Sequence, residues 1–90
     1  MTGADTGGAD LRLKRLRLRS WRRGTREADL LLGPFADSRL AAMDEPALAG
    51  YEALLSQDDH DIYAWISGSA LAPAAFAETL GRICSFHAIR

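Results

Sequence analysis

Apolar positions recur at helical spacing along most of the chain. Ala28, Leu32, Phe35, Ala36, Leu40 and Met43 share one face of a 3.6-residue repeat, predicting a helix from Thr25 to about Met43. Gly33-Pro34 interrupts it: proline lacks the amide that would bond to Leu30 and crowds the preceding turn, so a kink or short break is expected there. Asp44 reads as the cap of a next helix, with Glu45 and Pro46 in its first turn, Leu48, Tyr51 and Leu55 as its buried stripe, and Ser56-Gln57 as its end. Asp58 or Asp59 caps a fourth helix that buries Ile62, Trp65 and Ile66 and stops at Gly68. Ala72-Pro73 opens a fifth, with Phe76, Leu80, Ile83 and His87 on one face and Cys84 beside them.

The first segment, Leu11 to Arg23, is less decided. Leu11-Arg12-Leu13-Lys14 alternates like a strand, whereas Leu11, Leu18 and Trp21 share one helical face and Leu13 and Leu16 another. Helix propensity decides for a helix capped by Asp10, with Trp21 as a core residue near its end. Two apolar stripes imply that it is gripped from two sides or partly exposed. Residues 1–9 are small, polar and glycine-rich and are expected to form a disordered tail. Residues 10–90 then make a single helical domain: all-α, a small five-helix antiparallel bundle.

Composition agrees. The chain of 90 residues holds no valine and four isoleucines, while alanine, leucine and arginine dominate, which disfavours strands. Cys84 is the only cysteine, which excludes an intrachain disulfide and suits a reducing compartment. No apolar run approaches the ~20 residues that span a bilayer. Met1 to Asp10 has no basic residue and no apolar stretch, unlike a secretory signal. The arginine-rich segment that follows has the composition of a mitochondrial transit peptide but runs directly into the corner described next. These features lead to the expectation of a cytoplasmic bacterial protein.

Charge singles out that corner. The net charge is −1, yet eight of the eleven basic residues lie between Arg12 and Arg26 and nine of the twelve acidic ones between Glu27 and Asp61. Either the two regions pair with each other or the surface is dipolar. At the boundary stands Arg22-Arg23-Gly24-Thr25-Arg26-Glu27. As a helix-stop, helix-start corner it is readily explained: Gly24 ends one helix in the left-handed conformation, Thr25 caps the next, and Glu27 and Asp29 favour its first turn. Three arginines exceed what a cap needs, and guanidinium forks suit carboxylates and phosphates, so the corner also reads as a docking surface.

Arg23-Gly24-Thr25-Arg26-Glu27 fits the RGxxE motif of the succinate dehydrogenase assembly factor 2 family, the small flavinylation factors. The longer run through Leu30 resembles that family's RRGMRExD segment, with Thr25 where many members have methionine. Tyr51-Glu52-Ala53-Leu54-Leu55 resembles its YExLL segment, and Asp58-Asp59-His60-Asp61-Ile62-Tyr63-Ala64-Trp65 its DDxDLxxW segment. Order and spacing agree over roughly residues 12 to 80. The resemblance implies a five-helix domain that is not an enzyme. It implies an assembly factor that binds the flavoprotein subunit of succinate dehydrogenase, with fumarate reductase as a further candidate client, and promotes covalent attachment of FAD to a histidine of that partner. Arg22, Arg23, Gly24, Arg26 and Glu27 would then be the partner-binding residues. FAD would be carried by the partner, with no cofactor stably bound here.

Other chemistries find little footing. One cysteine and the distant His60 and His87 have no metal-site spacing. Asp58, Asp59 and Asp61 resemble a fragment of a calcium loop without its glycine and closing glutamate, and capping explains them. Ser20 and Ser56 lack a nucleophile elbow, and no phosphate loop or GxGxxG occurs. Trp65 and Tyr63 could form an aromatic platform, but the spacing of Trp65 with Ile62 and Ile66 places it in the core. The basic helix supports an alternative as a small nucleic-acid-binding protein, against which stand the sequence pI of about 6.0 and the acids beside the corner. A helical adaptor for another acidic protein is a third reading.

Overall fold

The computed structural model describes residues 3–88. Five α-helices follow in order: α1 (Gly3–Trp21), α2 (Arg26–Arg39), α3 (Glu45–Leu55), α4 (Asp59–Ser67) and α5 (Ala77–Phe86). Short 3-10 turns at Leu40–Ala42 and Ala74–Phe76 extend α2 and lead into α5. No strand occurs among the described residues, as the composition predicts.

All five helices contribute to one core. Leu16 of α1, Leu32, Phe35 and Ala36 of α2, Tyr51, Leu54 and Leu55 of α3, Ile62 and Ile66 of α4, and Leu80 and Ile83 of α5 bury almost all of their surface, as does Leu40. Phe35 is central, its ring 5.5 Å from Tyr51 and 5.8 Å from Phe86, the latter edge-on. Trp65 is only partly buried and stacks on Phe76 at 5.6 Å, a bracing contact rather than a core position. Ser20 is fully buried and gives its proton to the Leu16 carbonyl at 2.7 Å, leaving its oxygen to accept from the Tyr51 hydroxyl at 2.6 Å. That polar link pins α1 to α3.

Four expectations are corrected. Helix α1 begins at Gly3, so Asp10 lies in its interior rather than at its cap; Met1 and Thr2 lie outside the described residues. Helix α2 runs through Pro34 without a break: the missing proline amide removes only the bond to Leu30, and burial of Leu32, Gly33, Phe35 and Ala36 on either side keeps the segment helical. The left-handed glycine is Gly68, at φ 86°, which ends α4 as predicted; Gly24 does not take that conformation. Trp21 is 39% exposed rather than core, because its ring lies across Gly33 on the outside of α2 and its indole N–H donates to Asp37 at 3.1 Å.

The caps are placed as the sequence predicts. Thr25 accepts from the Ala28 amide at 3.1 Å, Asp44 from Ala47 at 3.0 Å, and Asp58 from His60 at 3.2 Å. His60 is exposed beside Asp58. His87 is partly buried with Nε2 2.7 Å from the Leu31 carbonyl; a carbonyl only accepts, so Nε2 carries the proton.

Candidate docking corner

Helix α1 ends at Trp21, and residues 22–25 turn the chain onto α2. Within this turn Arg23 folds back against the protein. Its Nε donates to Asp59 Oδ1 at 2.6 Å, and its two terminal nitrogens donate to the carbonyls of Leu55 at 2.7 Å and Gln57 at 2.9 Å. Leu55 is the last residue of α3, whose terminal carbonyls have no partner in their own helix. One guanidinium thus caps α3 and pairs with the first residue of α4. The Arg23 amide donates to Asp29 Oδ1 at 2.7 Å, which ties the turn to the start of α2 as well.

Asp59 completes the lock. Its second oxygen accepts from the Gly24 amide, so both oxygens face the turn. The Arg23 and Asp59 side chains are only 10% and 13% exposed. At such depth each charge needs the other, and the fork of hydrogen bonds supplies the solvation that water would give. A Cβ on Gly24 would lie 2.9 Å from Asp59 Oδ2, closer than atoms tolerate. Glycine is required here for close approach, not for a left-handed backbone.

The residues predicted to meet a partner therefore divide. Arg22, Arg26 and Glu27 are exposed, and among the described residues the Glu27 carboxylate joins no hydrogen bond or ion pair. Gly24 is exposed as well. Arg23 is not presented outward: Nε and one N–H of each terminal nitrogen are held inside the fold by Asp59, Leu55 and Gln57. Sequence reasoning missed Asp59 as part of the corner and read it as a cap. The signal was available: three aspartates within Asp58–Asp61 exceed what one cap requires.

Part of the basic helix is matched internally, as charge segregation suggested. Arg12 pairs with Glu45 at 2.5 Å and Glu52 at 3.2 Å, and its pKa is raised by those carboxylates, Glu45 foremost. Beside the corner, Leu18, Trp21 and Leu30 leave large apolar surfaces exposed. A groove of about 570 Å³ lies elsewhere, between α2 and α5, with Phe35, Arg39, Met43, Arg82 and Phe86 in its walls. None of the described helices is long and apolar enough to cross a membrane, and no group of metal-ligating side chains occurs among the described residues.

Comparison with known proteins places the chain in a family. Residues 14–87 match the family model Sdh5, described as the flavinator of succinate dehydrogenase. The protein named succinate dehydrogenase assembly factor 2, mitochondrial, of Dictyostelium discoideum is 38% identical over 74 residues, covering 82% of this chain and 52% of that one. Its namesake in Caenorhabditis briggsae is 36% identical over 77 residues, 81% of this chain and 63% of that one. The Schizosaccharomyces pombe namesake is 41% identical over 64 residues, 71% of this chain and 46% of that one. The chain spans about half the length of the relatives from Dictyostelium and fission yeast. These relatives carry mitochondrial in their names, which gives the cytoplasmic expectation no support. With the family match covering most of the chain, this protein belongs to the succinate dehydrogenase flavinator family.

Proposed function

We propose that this protein is an assembly factor that binds the flavoprotein subunit of succinate dehydrogenase and promotes covalent attachment of FAD to it. The observation that carries the reading is the state of Glu27: an exposed carboxylate in the first turn of α2 that joins no hydrogen bond or ion pair among the described residues, next to a turn held from behind by Arg23 and Asp59. A surface acid with no internal use, held on a rigid mount, is suited to donors on another protein. Arg22 and Arg26 flank it as exposed cations for acidic groups of that partner. The family description and the names of the relatives support succinate dehydrogenase as the client. They concern succinate dehydrogenase; fumarate reductase as a further client draws no support from them.

In this reading the helper is not itself an enzyme. FAD stays on the flavoprotein, whose own groups perform the bond formation, and the helper holds that protein in the reactive geometry. Holding reactants in place can lower a barrier by as much as ~7–11 kcal/mol, so a binding protein with no catalytic group suffices. The compartment is that of the flavoprotein client, cytoplasm in a bacterium or matrix in a mitochondrion.

The test is reconstitution of the apo-flavoprotein with FAD, with and without this chain, scored by flavin fluorescence in a denaturing gel. The expected result is faster covalent labelling in its presence, together with co-purification of the two chains. Labelling at the same rate and no complex would overturn the reading. A salt-titrated DNA shift addresses the nucleic-acid alternative, for which no retardation is expected at physiological salt.

A further inference from the structure

The corner's shape is set by a residue that lies far away in sequence and carries no part of the RGxxE motif. Asp59 opens α4, yet neither of its oxygens serves that helix: the α4 cap is Asp58, which accepts from the His60 amide. Both Asp59 oxygens instead reach across 35 residues of chain to the α1–α2 turn, one to Arg23 Nε and one to the Gly24 amide. The Arg23 guanidinium continues the chain of contacts to Leu55 and Gln57 at the end of α3. Three segments thus converge on one carboxylate and one guanidinium, while Arg22, Arg26 and Glu27 face outward.

We propose that Asp59 is a positioning residue for partner docking: it fixes the Gly24 backbone and thereby the direction in which Glu27 is presented. This rests on the proposed function and names how the corner is made ready for binding. The physical reason is that a four-residue turn is otherwise free to sample several conformations. Only the fraction in the binding-competent one contributes to affinity, since the apparent dissociation constant scales inversely with that fraction. Asp59 holds the turn in one conformation before the partner arrives, through a charged bond to an amide that glycine alone leaves accessible.

A role confined to stability is separable from this one. Asp58→Asn removes a favourable charge from the same helix start without touching the corner. Asp59→Asn keeps the shape of the side chain but weakens both bonds to the turn. Asp59→Glu keeps the charge for Arg23 while displacing the carboxylate from the Gly24 amide, so it stays folded should Asp59→Asn not. The full-length chain and these three variants are compared by thermal unfolding, by the Gly24 amide proton shift in NMR, and by affinity for the flavoprotein subunit.

The native Gly24 amide is expected far downfield, as a charge-assisted bond to a carboxylate demands. In Asp59→Asn and Asp59→Glu it moves upfield and affinity falls about tenfold or more, as expected if the competent fraction drops to about a tenth. Asp58→Asn, even with an equal loss of Tm, binds like the native chain. Native affinity in Asp59→Asn or Asp59→Glu overturns the positioning role and leaves the proposed function standing. Equal weakening in all three variants also overturns it, since stability alone would then account for the loss. Absence of binding by the native chain overturns both.

Discussion

The indole of Trp21 lies flat on the bare backbone of Gly33, so close that a Cβ there would sit 2.3 Å from a ring carbon. The contact joins the end of α1 to the middle of α2 next to the docking corner, and the Trp21–Asp37 hydrogen bond fixes the ring's orientation. Gly33→Ala is therefore expected to push the ring outward. Overpacking of this kind costs about 1–3 kcal/mol, partly offset by alanine's better helix propensity of ~1 kcal/mol. A red shift in tryptophan emission with a lowered Tm checks it; an unchanged spectrum and an unchanged or raised Tm would show that the contact is not tight.

Gly24→Ala tests the second close approach. The added methyl meets Asp59 Oδ2 at 2.9 Å, the oxygen that already accepts from the Gly24 amide, while the other oxygen is held by Arg23. The carboxylate must withdraw, which weakens a partly buried charged bond at a cost of ~1–3 kcal/mol. Helical circular dichroism is expected to persist, since the core residues are untouched, while Tm falls and flavoprotein binding weakens. A larger side chain, as in Gly24→Arg, is expected to abolish binding.

Tyr51 gives the protein an alkaline limit. Burial pushes its hydroxyl up to about 12. The unfolded chain releases that proton near pH 10, so unfolding is favoured as pH rises from about 10 to about 12. The contribution is complete below pH 10 and is lost across that window, on the order of 2–3 kcal/mol from a shift of about two units at 1.36 kcal/mol each. Urea unfolding of the native chain and Tyr51→Phe at pH 8 to 12 reads it: the difference between the two should shrink or invert as pH rises. Parallel curves would contradict the burial of an un-ionised hydroxyl at this position.

Much of the fold was legible because periodicity and caps are local properties. Thr25, Asp44 and Asp58 cap where their side-chain chemistry predicts, and the buried residues of α2 are those that share one helical face. What was not legible depends on contacts between distant segments. Trp21 looked like core by its apolar character; only the proximity of Gly33 makes an external seat for it. The same proximity explains Gly33, which local rules read with Pro34 as a helix break. At the corner, the exposed positions of Arg22, Arg26 and Glu27 follow from the motif, but Arg23 differs from its basic neighbours because α3 and α4 end and begin beside it. No spacing rule links residue 23 to residue 59.

Glu27→Ala addresses the proposed role most directly. The residue is exposed and makes no described internal contact, so its removal should change stability by no more than about 0.5 kcal/mol. In a strain lacking its own flavinylation factor, the native chain is predicted to restore covalent flavin on the succinate dehydrogenase flavoprotein, and Glu27→Ala, expressed to the same level and equally folded, is predicted not to. Full covalent flavin with Glu27→Ala would contradict the assignment of that carboxylate as the point of contact.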